Sequence, residues 1–219
     1  MRHIARSVVP ALLAAAVMAA CGEADGVSDY ASARNGAADP QAEFMANLGH
    51  HCGEAFPGRL ALEPEDDTML TGTEELLVHF RDCDDDEVRI PFHVEVEDEG
   101  RWDRSRTWYL IRHEDRLELR HDHRNPDGSE STRTWYGGFT ATEGTAIRQN
   151  FVSPERTEAA GVPVGWRIEI EPENRYAYGT TLDGEYDWQV TFDLSEPIDG
   201  PAPMPWGHDR EPSREPGPP

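Results

Sequence analysis

Apolar residues recur at every second position over much of this sequence. In residues 87–96, EVRIPFHVEV, the apolar members are Val88, Ile90, Phe92, Val94 and Val96. The same alternation runs through WRIEIE at 166–171 and YDWQVTFDL at 186–194. A period of two is typical of a β-strand with one buried face, and about nine or ten such segments occur with turn residues between them.

A strand with a single apolar face must bury that face against other strands, so the sheet has to close on itself or fold over. The sequence predicts one helix, from Pro40, capped by Asp39, to Gly53. Its apolar stripe consists of Phe44, Leu48 and Cys52. With no helices between successive strands, we predict an all-β fold: an antiparallel meander that closes into a barrel of about 8–10 strands, with the helix across one mouth. A two-sheet β-sandwich is the alternative.

The first 21 residues have the composition of an export signal. A basic start (Arg2, Arg6) precedes an apolar stretch at 8–18, which is shorter than the roughly 20 residues that a bilayer needs. MAAC at 18–21 resembles the lipobox of bacterial lipoproteins, although Leu usually stands where Met18 does. That resemblance implies acylation of Cys21 and, because Gly22 follows instead of Asp, a lipid-anchored protein of the outer membrane. The alternative is an ordinary signal peptide, which makes the protein secreted or periplasmic.

Composition divides the chain into four parts. Residues 1–20 are the predicted lipoprotein signal peptide, and residues 21–39, rich in Gly, Ala, Ser and acids, are a predicted flexible tether. Residues 40–198 form the predicted β-barrel domain. Residues 199–219 carry seven prolines in 21 residues and are predicted to be a disordered tail.

The cysteine count fits export to an oxidising compartment. The chain has three cysteines, and acylation of Cys21 would leave Cys52 and Cys83 as an even pair. We predict a disulfide between them, worth on the order of 3 kcal/mol in the chain-entropy treatment. Two free buried thiols are the alternative.

The charge balance excludes several functional classes. There are 43 acidic residues against 20 basic ones, giving a net charge of −23, and every basic residue is arginine. The absence of lysine excludes Schiff-base and P-loop chemistry. Phosphate-backbone binding needs a basic face, so we expect no nucleic-acid partner. The acidity predicts a strongly solvated surface, the alternative being a surface for a cationic partner.

Four segments carry a family resemblance. They are NLGHHCGEAFPGR (47–59), HFRDCDDDEVRIPFHV (79–94), DRSRTWYLIRHEDRLELRHDHRNPDGSE (103–130) and YGG (136–138). These resemble the landmark segments of a family of bacterial secreted proteins and lipoproteins to which no activity is assigned. The order of elements, a helix followed by a strand meander, is similar to that of calycin-type ligand-binding barrels. The resemblance therefore implies a calycin-like barrel in the cell envelope, and it implies no reaction.

Residues 125–128, Asn-Pro-Asp-Gly, predict a hairpin turn that sets Asn125 opposite Ser129. The predicted partners across that hairpin are Arg124–Glu130, His123–Ser131, Asp122–Thr132, His121–Arg133 and Leu119–Trp135. The apolar members mark one face as interior, with His121 and His123 near its solvent-exposed end. We expect no metal there, because Arg133 would repel a cation bound to His121. A metal held by the H-x-H pair is a lesser alternative.

The same residues predict an anion site. His121, His123, Arg133 and Trp135 are the ligand-binding candidates, with Trp108 and Trp166 as further wall residues. The alternative is a barrel filled by its own side chains. No G-x-S-x-G, H-E-x-x-H, glycine-rich phosphate loop or C-x-x-C pattern occurs in the sequence. We therefore predict a non-enzymatic envelope lipoprotein without a cofactor, which binds a small amphiphilic or anionic ligand or, as an interaction module, an envelope protein.

Overall fold

The computed structural model describes residues 38–64, 69–96 and 101–208. The predicted signal peptide, Cys21 and the tether up to residue 37 lie outside the described residues, as do residues 209–219 of the predicted tail. Among the described residues no helix is long and apolar enough to cross a membrane.

Eleven strands and two helices make up the described structure. The first half contains α1 (Pro40–Gly49), β1 (Ala55–Leu62), β2 (Leu76–His79), β3 (Asp82–Cys83), β4 (Glu87–Val96), β5 (Arg101–Arg112) and β6 (Leu117–His123). The second half contains β7 (Tyr136–Thr140), β8 (Arg148–Val152), α2 (Pro154–Ala160), β9 (Val164–Glu171), β10 (Arg175–Leu182) and β11 (Glu185–Asp193).

Ten of the strands form a closed antiparallel barrel. Strands β4 to β11 pair in chain order, β11 pairs with β1, and β1 pairs with β2. The ring closes where β2 pairs with β4, through Leu76–Val94 and Val78–Phe92. The short strand β3 pairs with the start of β4 outside this ring. The predicted barrel is therefore confirmed, and the sandwich alternative is wrong.

Because apolar residues alternate with polar ones, each strand places one row of apolar side chains inside the barrel. Val88, Ile90 and Phe92 of β4 are at most 2% exposed, as are Ile168 and Ile170 of β9 and Val190 and Phe192 of β11. A single cluster of buried apolar side chains runs through the interior and includes side chains of α1. The periodicity read from the sequence is thus the periodicity that fills the barrel.

Helix α1 closes one mouth of the barrel. Asp39 caps it by accepting a hydrogen bond from the Gln41 amide, and Phe44 and Leu48 are fully buried in the core. The helix contacts β4, β5, β8 and β9 at that end. It ends at Gly49 and not at Gly53 as predicted, because the Gly53 amide donates instead to the Phe80 carbonyl, at 2.6 Å, and joins the chain to β2.

The second helix, α2, was not predicted, since the sequence indicated only one. Ser153 caps it by accepting a hydrogen bond from the Arg156 amide, Pro154 occupies its first position, and Gly161 ends it with φ 74°. Its seven residues bury no side chain fully, so it lacks the apolar stripe that reveals a longer helix. The Ser-Pro start and the glycine end were the available signals.

The predicted disulfide between Cys52 and Cys83 is present. Their Cα atoms lie 6.1 Å apart and the bridge spans 31 residues of sequence. It joins the turn after α1 to β3, and so ties the helix that closes the mouth to the wall of the barrel.

We expect the double variant Cys52→Ser/Cys83→Ser to lose about 3 kcal/mol of unfolding free energy, because the open chain gains entropy in its unfolded state. Urea denaturation followed by circular dichroism measures the loss. Reduction of the wild-type protein should reproduce it, and an unchanged urea midpoint in both cases would contradict the prediction.

Residues 197–208 lie against the outer wall of the barrel, and we call them the C-terminal strap. The Ile198 amide donates to the Ala55 carbonyl at 2.9 Å, and the Trp206 amide donates to the Arg104 carbonyl at 3.1 Å. The His208 imidazole lies 3.0 Å from a carboxylate oxygen of Asp122. The prediction of disorder is therefore wrong for residues 199–208, because main-chain hydrogen bonds to the wall order a segment that has no core of its own.

Candidate functional site

The predicted turn after β6 is present. The Gly128 amide donates to the Asn125 carbonyl at 2.9 Å, and the Asn125 amide donates to the Ser129 carbonyl at 2.9 Å. Gly128 has a φ of 83°, which the glycine at this position makes possible without strain. Arg124 faces Glu130 as predicted, with 3.4 Å between guanidinium and carboxylate.

Beyond Ser131 the predicted register is wrong. The pairing moves three residues along the second strand, so that His121 faces Tyr136 instead of Arg133, and Leu119 faces Gly138 instead of Trp135. The side chain of Thr134 explains this shift in register. Its hydroxyl accepts a hydrogen bond from the His123 amide at 2.9 Å. The same hydroxyl lies 3.2 Å from the Asp122 carboxylate, so Thr134 takes the place that was predicted for Thr132. A side chain thus satisfies main-chain groups that a regular ladder would have paired.

The slip moves Trp135 to the outside of the barrel. Its ring is 38% exposed, packs 5.1 Å from the ring of Tyr109, and donates its indole hydrogen to Glu130 at 2.9 Å. The expected interior position of Trp135 is therefore wrong, and Tyr136 occupies it.

A cavity of about 360 Å³ opens at the mouth opposite α1. Its aromatic lining residues are Phe92, Trp108, Tyr136, Trp166, Tyr178 and Trp188. Its polar lining residues are Arg106, His121, His123, Arg133, Arg156 and Thr180. These side chains come from β4 to β7, from β9 to β11, from α2 and from the loop before β7. Of the predicted candidates, His121, His123, Arg133, Trp108 and Trp166 meet in one place.

The rings of the wall are packed against one another. Trp108 stacks on Tyr178 at 3.9 Å and on Phe92 at 5.1 Å, with interplanar angles of 23° and 13°. Tyr136 stacks on His121 at 4.6 Å with an interplanar angle of 6°. Contacts of this kind hold the wall in a fixed shape before any ligand arrives.

His121 is held neutral at the base of the cavity. It is 2% exposed, and its Nδ1 lies 3.1 Å from the Tyr136 carbonyl, which can only accept, so Nδ1 carries the hydrogen. Nε2 then accepts from the Tyr178 hydroxyl at 2.5 Å. Burial lowers the pKa of His121 to about 3, and the nearby His123, Arg156 and Arg133 oppose a further positive charge while the Tyr136 carbonyl favours it.

His123 lies nearer the mouth and is also neutral at pH 7. Its Nε2 is 3.1 Å from the Tyr136 hydroxyl. Burial lowers its pKa to about 4, Arg106 and Arg133 act in the same direction, and Asp122 and Asp103 oppose them. The two histidines therefore contribute hydrogen-bonding groups to the cavity and no net charge.

The positive charge of the cavity comes from three arginines. Arg106 is paired with Asp103 at 2.7 Å. Arg133 lies over the Tyr136 ring, 5.1 Å from its centre, and Arg156 lies over the Trp166 ring at 5.3 Å. Within the described ranges, neither Arg133 nor Arg156 has a carboxylate within ion-pair distance. Sequence reasoning missed Arg156 because it missed α2.

The wall of the cavity contains one buried donor without a hydrogen-bond partner among the described residues. Trp188 is 5% exposed and lines the cavity, and its indole nitrogen has no hydrogen-bond partner in the part of the chain that the structure describes. A buried donor without a partner is costly, and a ligand oxygen or water would relieve that cost.

The geometry is unsuited to the H-x-H metal alternative. Both ring nitrogens of His121 are engaged by protein groups, and among the described residues no three His, Cys, Asp or Glu side chains form a group that could hold a metal ion. His79 and His93 point to the outer face of the barrel, away from the cavity. They are nevertheless buried, with exposed fractions of 6% and 0%.

Comparisons with known proteins add little to this geometry. The sequence matches no protein-family model and no curated protein. A solved structure of a redesigned β-barrel is similar to it at 8% identity and a TM-score of 0.32, over 69% of this chain and 94% of the redesigned one. A likeness at this level carries no argument about function, and the assignment of a barrel rests on the strand pairing described above.

Proposed function

We propose that this protein is a non-enzymatic binding protein whose barrel holds a small organic anion. A carboxylate or phosphate group lies between Arg133 and Arg156 at the mouth, and the apolar body of the ligand lies against the aromatic wall. Ligand sites of this kind are concave, mostly apolar and equipped with a few polar groups.

The observation that carries the proposal is that neither Arg133 nor Arg156 has a carboxylate within ion-pair distance among the residues that the structure describes. The chain has 43 acidic residues and 20 arginines, so acids are abundant enough to pair with each guanidinium. Arg133 and Arg156 are nevertheless held over aromatic rings at the mouth of one cavity. A guanidinium in that setting is free to form bidentate hydrogen bonds with an anion.

The closed half of the barrel limits what the ligand can be. Next to α1 the interior is filled by buried side chains of the core, so the cavity occupies only the opposite end. The ligand that we propose must therefore be short enough to stay within the open end of the barrel.

Isothermal titration calorimetry of the full chain with naphthoate and with undecanoate tests the proposal. We expect saturable binding of at least one of these anions, weakened at least about tenfold in Arg133→Ala/Arg156→Ala, because each charge-assisted hydrogen bond is worth about 1.5–3 kcal/mol. Arg116→Ala is the matched control, since Arg116 also lies over an aromatic ring, Phe139 at 4.4 Å, but at the other end of the barrel.

Two outcomes would overturn the proposal. One is the absence of saturable binding of either anion to the wild-type protein, which would favour the interaction module. The other is binding that the double variant leaves unchanged.

We also propose that the protein is anchored to the cell envelope through a lipid on Cys21, in the outer membrane. The lipobox-like MAAC and the short apolar stretch before it support this. In a bacterial host we expect Cys21→Ser to abolish incorporation of a fatty-acid label and to move the protein out of the membrane fraction. Cys52→Ser should keep the label, and a labelled Cys21→Ser variant would contradict the proposal.

A further inference from the structure

The cavity lies at the mouth of the barrel opposite α1. Below it the barrel is filled by side chains that are 0% exposed, among them Phe44, Phe80, Leu110, Leu117 and Ile170. Helix α1 covers the far mouth. The cavity volume of about 360 Å³ lies near the lower end of the roughly 300–1,000 Å³ range for ligand sites. An acyl chain that enters from the open mouth therefore has no channel to extend into.

The apolar lining is aromatic. Among the described residues, Pro64 and Met69 are the apolar lining residues without an aromatic ring, against six that have one. Sites that hold alkyl chains gain from flexible aliphatic walls, whereas flat, fixed rings favour contact with another flat ring. The Phe92–Trp108–Tyr178 stack provides such a fixed wall.

The guanidinium groups of Arg133 and Arg156, which form no ion pair with any described residue, are also flat. Arg133 and Arg156 lie over the rings of Tyr136 and Trp166, and a guanidinium plane stacks on an aromatic ring through its charge and its shape. An aromatic ligand offers both arginines a second ring face together with an anionic group. An alkyl ligand offers only the anionic group.

From these features we infer that the cavity takes a compact aromatic anion, with a flat ring bearing a carboxylate or phosphate, in preference to an acyl-chain lipid. This inference rests on the proposed function, which requires only that some small organic anion binds.

Competition between matched ligands tests the inference. Naphthoate and undecanoate have the same number of carbon atoms and the same charge, and differ in having a flat ring or a flexible chain. We expect the full chain to bind naphthoate at least about tenfold more tightly, because two ring contacts of ordinary strength give a factor of that size. Neutral naphthalene-methanol should bind more weakly than naphthoate.

Two variants test whether the preference for naphthoate over undecanoate depends on the Tyr136 ring in the cavity. Tyr136→Leu removes the ring beneath Arg133, and we expect the ratio of the two affinities to fall several-fold. Trp135→Leu, at the neighbouring position on the outer wall, is the control and should keep the wild-type ratio. Circular dichroism establishes that each variant is folded.

The outcomes separate the two proposals. If undecanoate binds as tightly as naphthoate, or more tightly, the inference of an aromatic ligand is wrong and the proposed function stands. If neither anion binds, the proposed function is wrong and the inference falls with it. A wild-type preference that Trp135→Leu abolishes and Tyr136→Leu preserves would place the ring contact outside the cavity and overturn the inference.

Discussion

Lowering the pH from 7 to 5 should reduce the unfolding free energy of this protein by at least about 6 kcal/mol, since three buried histidines, and with them the half-buried His123, must stay neutral in the folded state. That loss is comparable to the whole stability of an ordinary domain, about 5–15 kcal/mol. We therefore expect the barrel to be much less stable at pH 5 than at pH 7.

The histidines are His79, His93 and His121, with exposures of 6%, 0% and 2%. Burial, together with His79 and Arg104, lowers the pKa of His93 to about 3, while Asp103 acts in the opposite direction. Burial and Arg81 lower the pKa of His79 to about 4, against the opposing charge of Asp82. The pKa of His121, about 3, has the cause given above.

The direction of this pH effect on stability follows from the pKa values of the histidines in the folded and unfolded states. An unfolded histidine binds a proton near pH 6.5, whereas these three bind one only near pH 3–4 when folded. Their contribution to stability is therefore complete above pH 6.5 and is lost as the pH falls from 6.5 toward 4. At pH 5 each has lost about 2 kcal/mol.

Urea denaturation at pH 7.5, 6 and 5 measures this effect. His121→Gln should remove about 2 kcal/mol of this loss, because one of the four histidines with a lowered pKa is gone. His50→Gln is the control, since His50 is largely exposed, and should leave the dependence unchanged. Stability that stays constant from pH 7.5 to 5 would contradict the burial of neutral histidines.

Phe44→Ala should lower the unfolding free energy by about 3–5 kcal/mol, because the side chain is lost from a closed core that cannot collapse around the gap. Phe44 is 0% exposed and belongs to the cluster that fills the barrel beneath α1. The helix has only three other buried side chains, so loss of this ring also weakens its hold on the mouth.

Two control variants, Phe44→Leu and Gly49→Ala, are compared with Phe44→Ala by urea denaturation. Phe44→Leu keeps most of the apolar volume and should cost less than Phe44→Ala. Gly49→Ala, at the last residue of the same helix, adds a methyl group with no atom within 4 Å and should change the urea midpoint little. Equal stability of Phe44→Ala and the wild-type protein would show that α1 does not seal the barrel.

The sequence predicted the parts of this fold that follow from local patterns. Alternation of apolar residues predicted the closed antiparallel sheet, Asn125 to Gly128 predicted the hairpin turn, and the pairing of Cys52 with Cys83 predicted the disulfide. Each of these is fixed by a short stretch of chain or by a simple count.

The sequence did not predict features that depend on long-range or irregular hydrogen bonding. The register slip arises because the Thr134 side chain replaces a ladder partner, and no periodicity signals it. Because of the same shift in register, Tyr136 lines the cavity at the place where Trp135 was predicted. Arg156 was not predicted as a cavity residue because α2 is too short to show an apolar stripe. The ordered C-terminal strap was not predicted because a high proline content indicates only that a segment lacks a core of its own.

The central claim, that an anion binds at the open mouth of the barrel, is tested most directly by the tryptophan indole resonances of the full chain during titration with naphthoate. Trp188 lines the cavity, whereas Trp135 and Trp206 lie on the outer wall. We predict a saturable shift of the Trp188 indole signal, with those of Trp135 and Trp206 unchanged. Saturable shifts confined to Trp135 or Trp206, or no saturable shift in any of the three, would contradict the account.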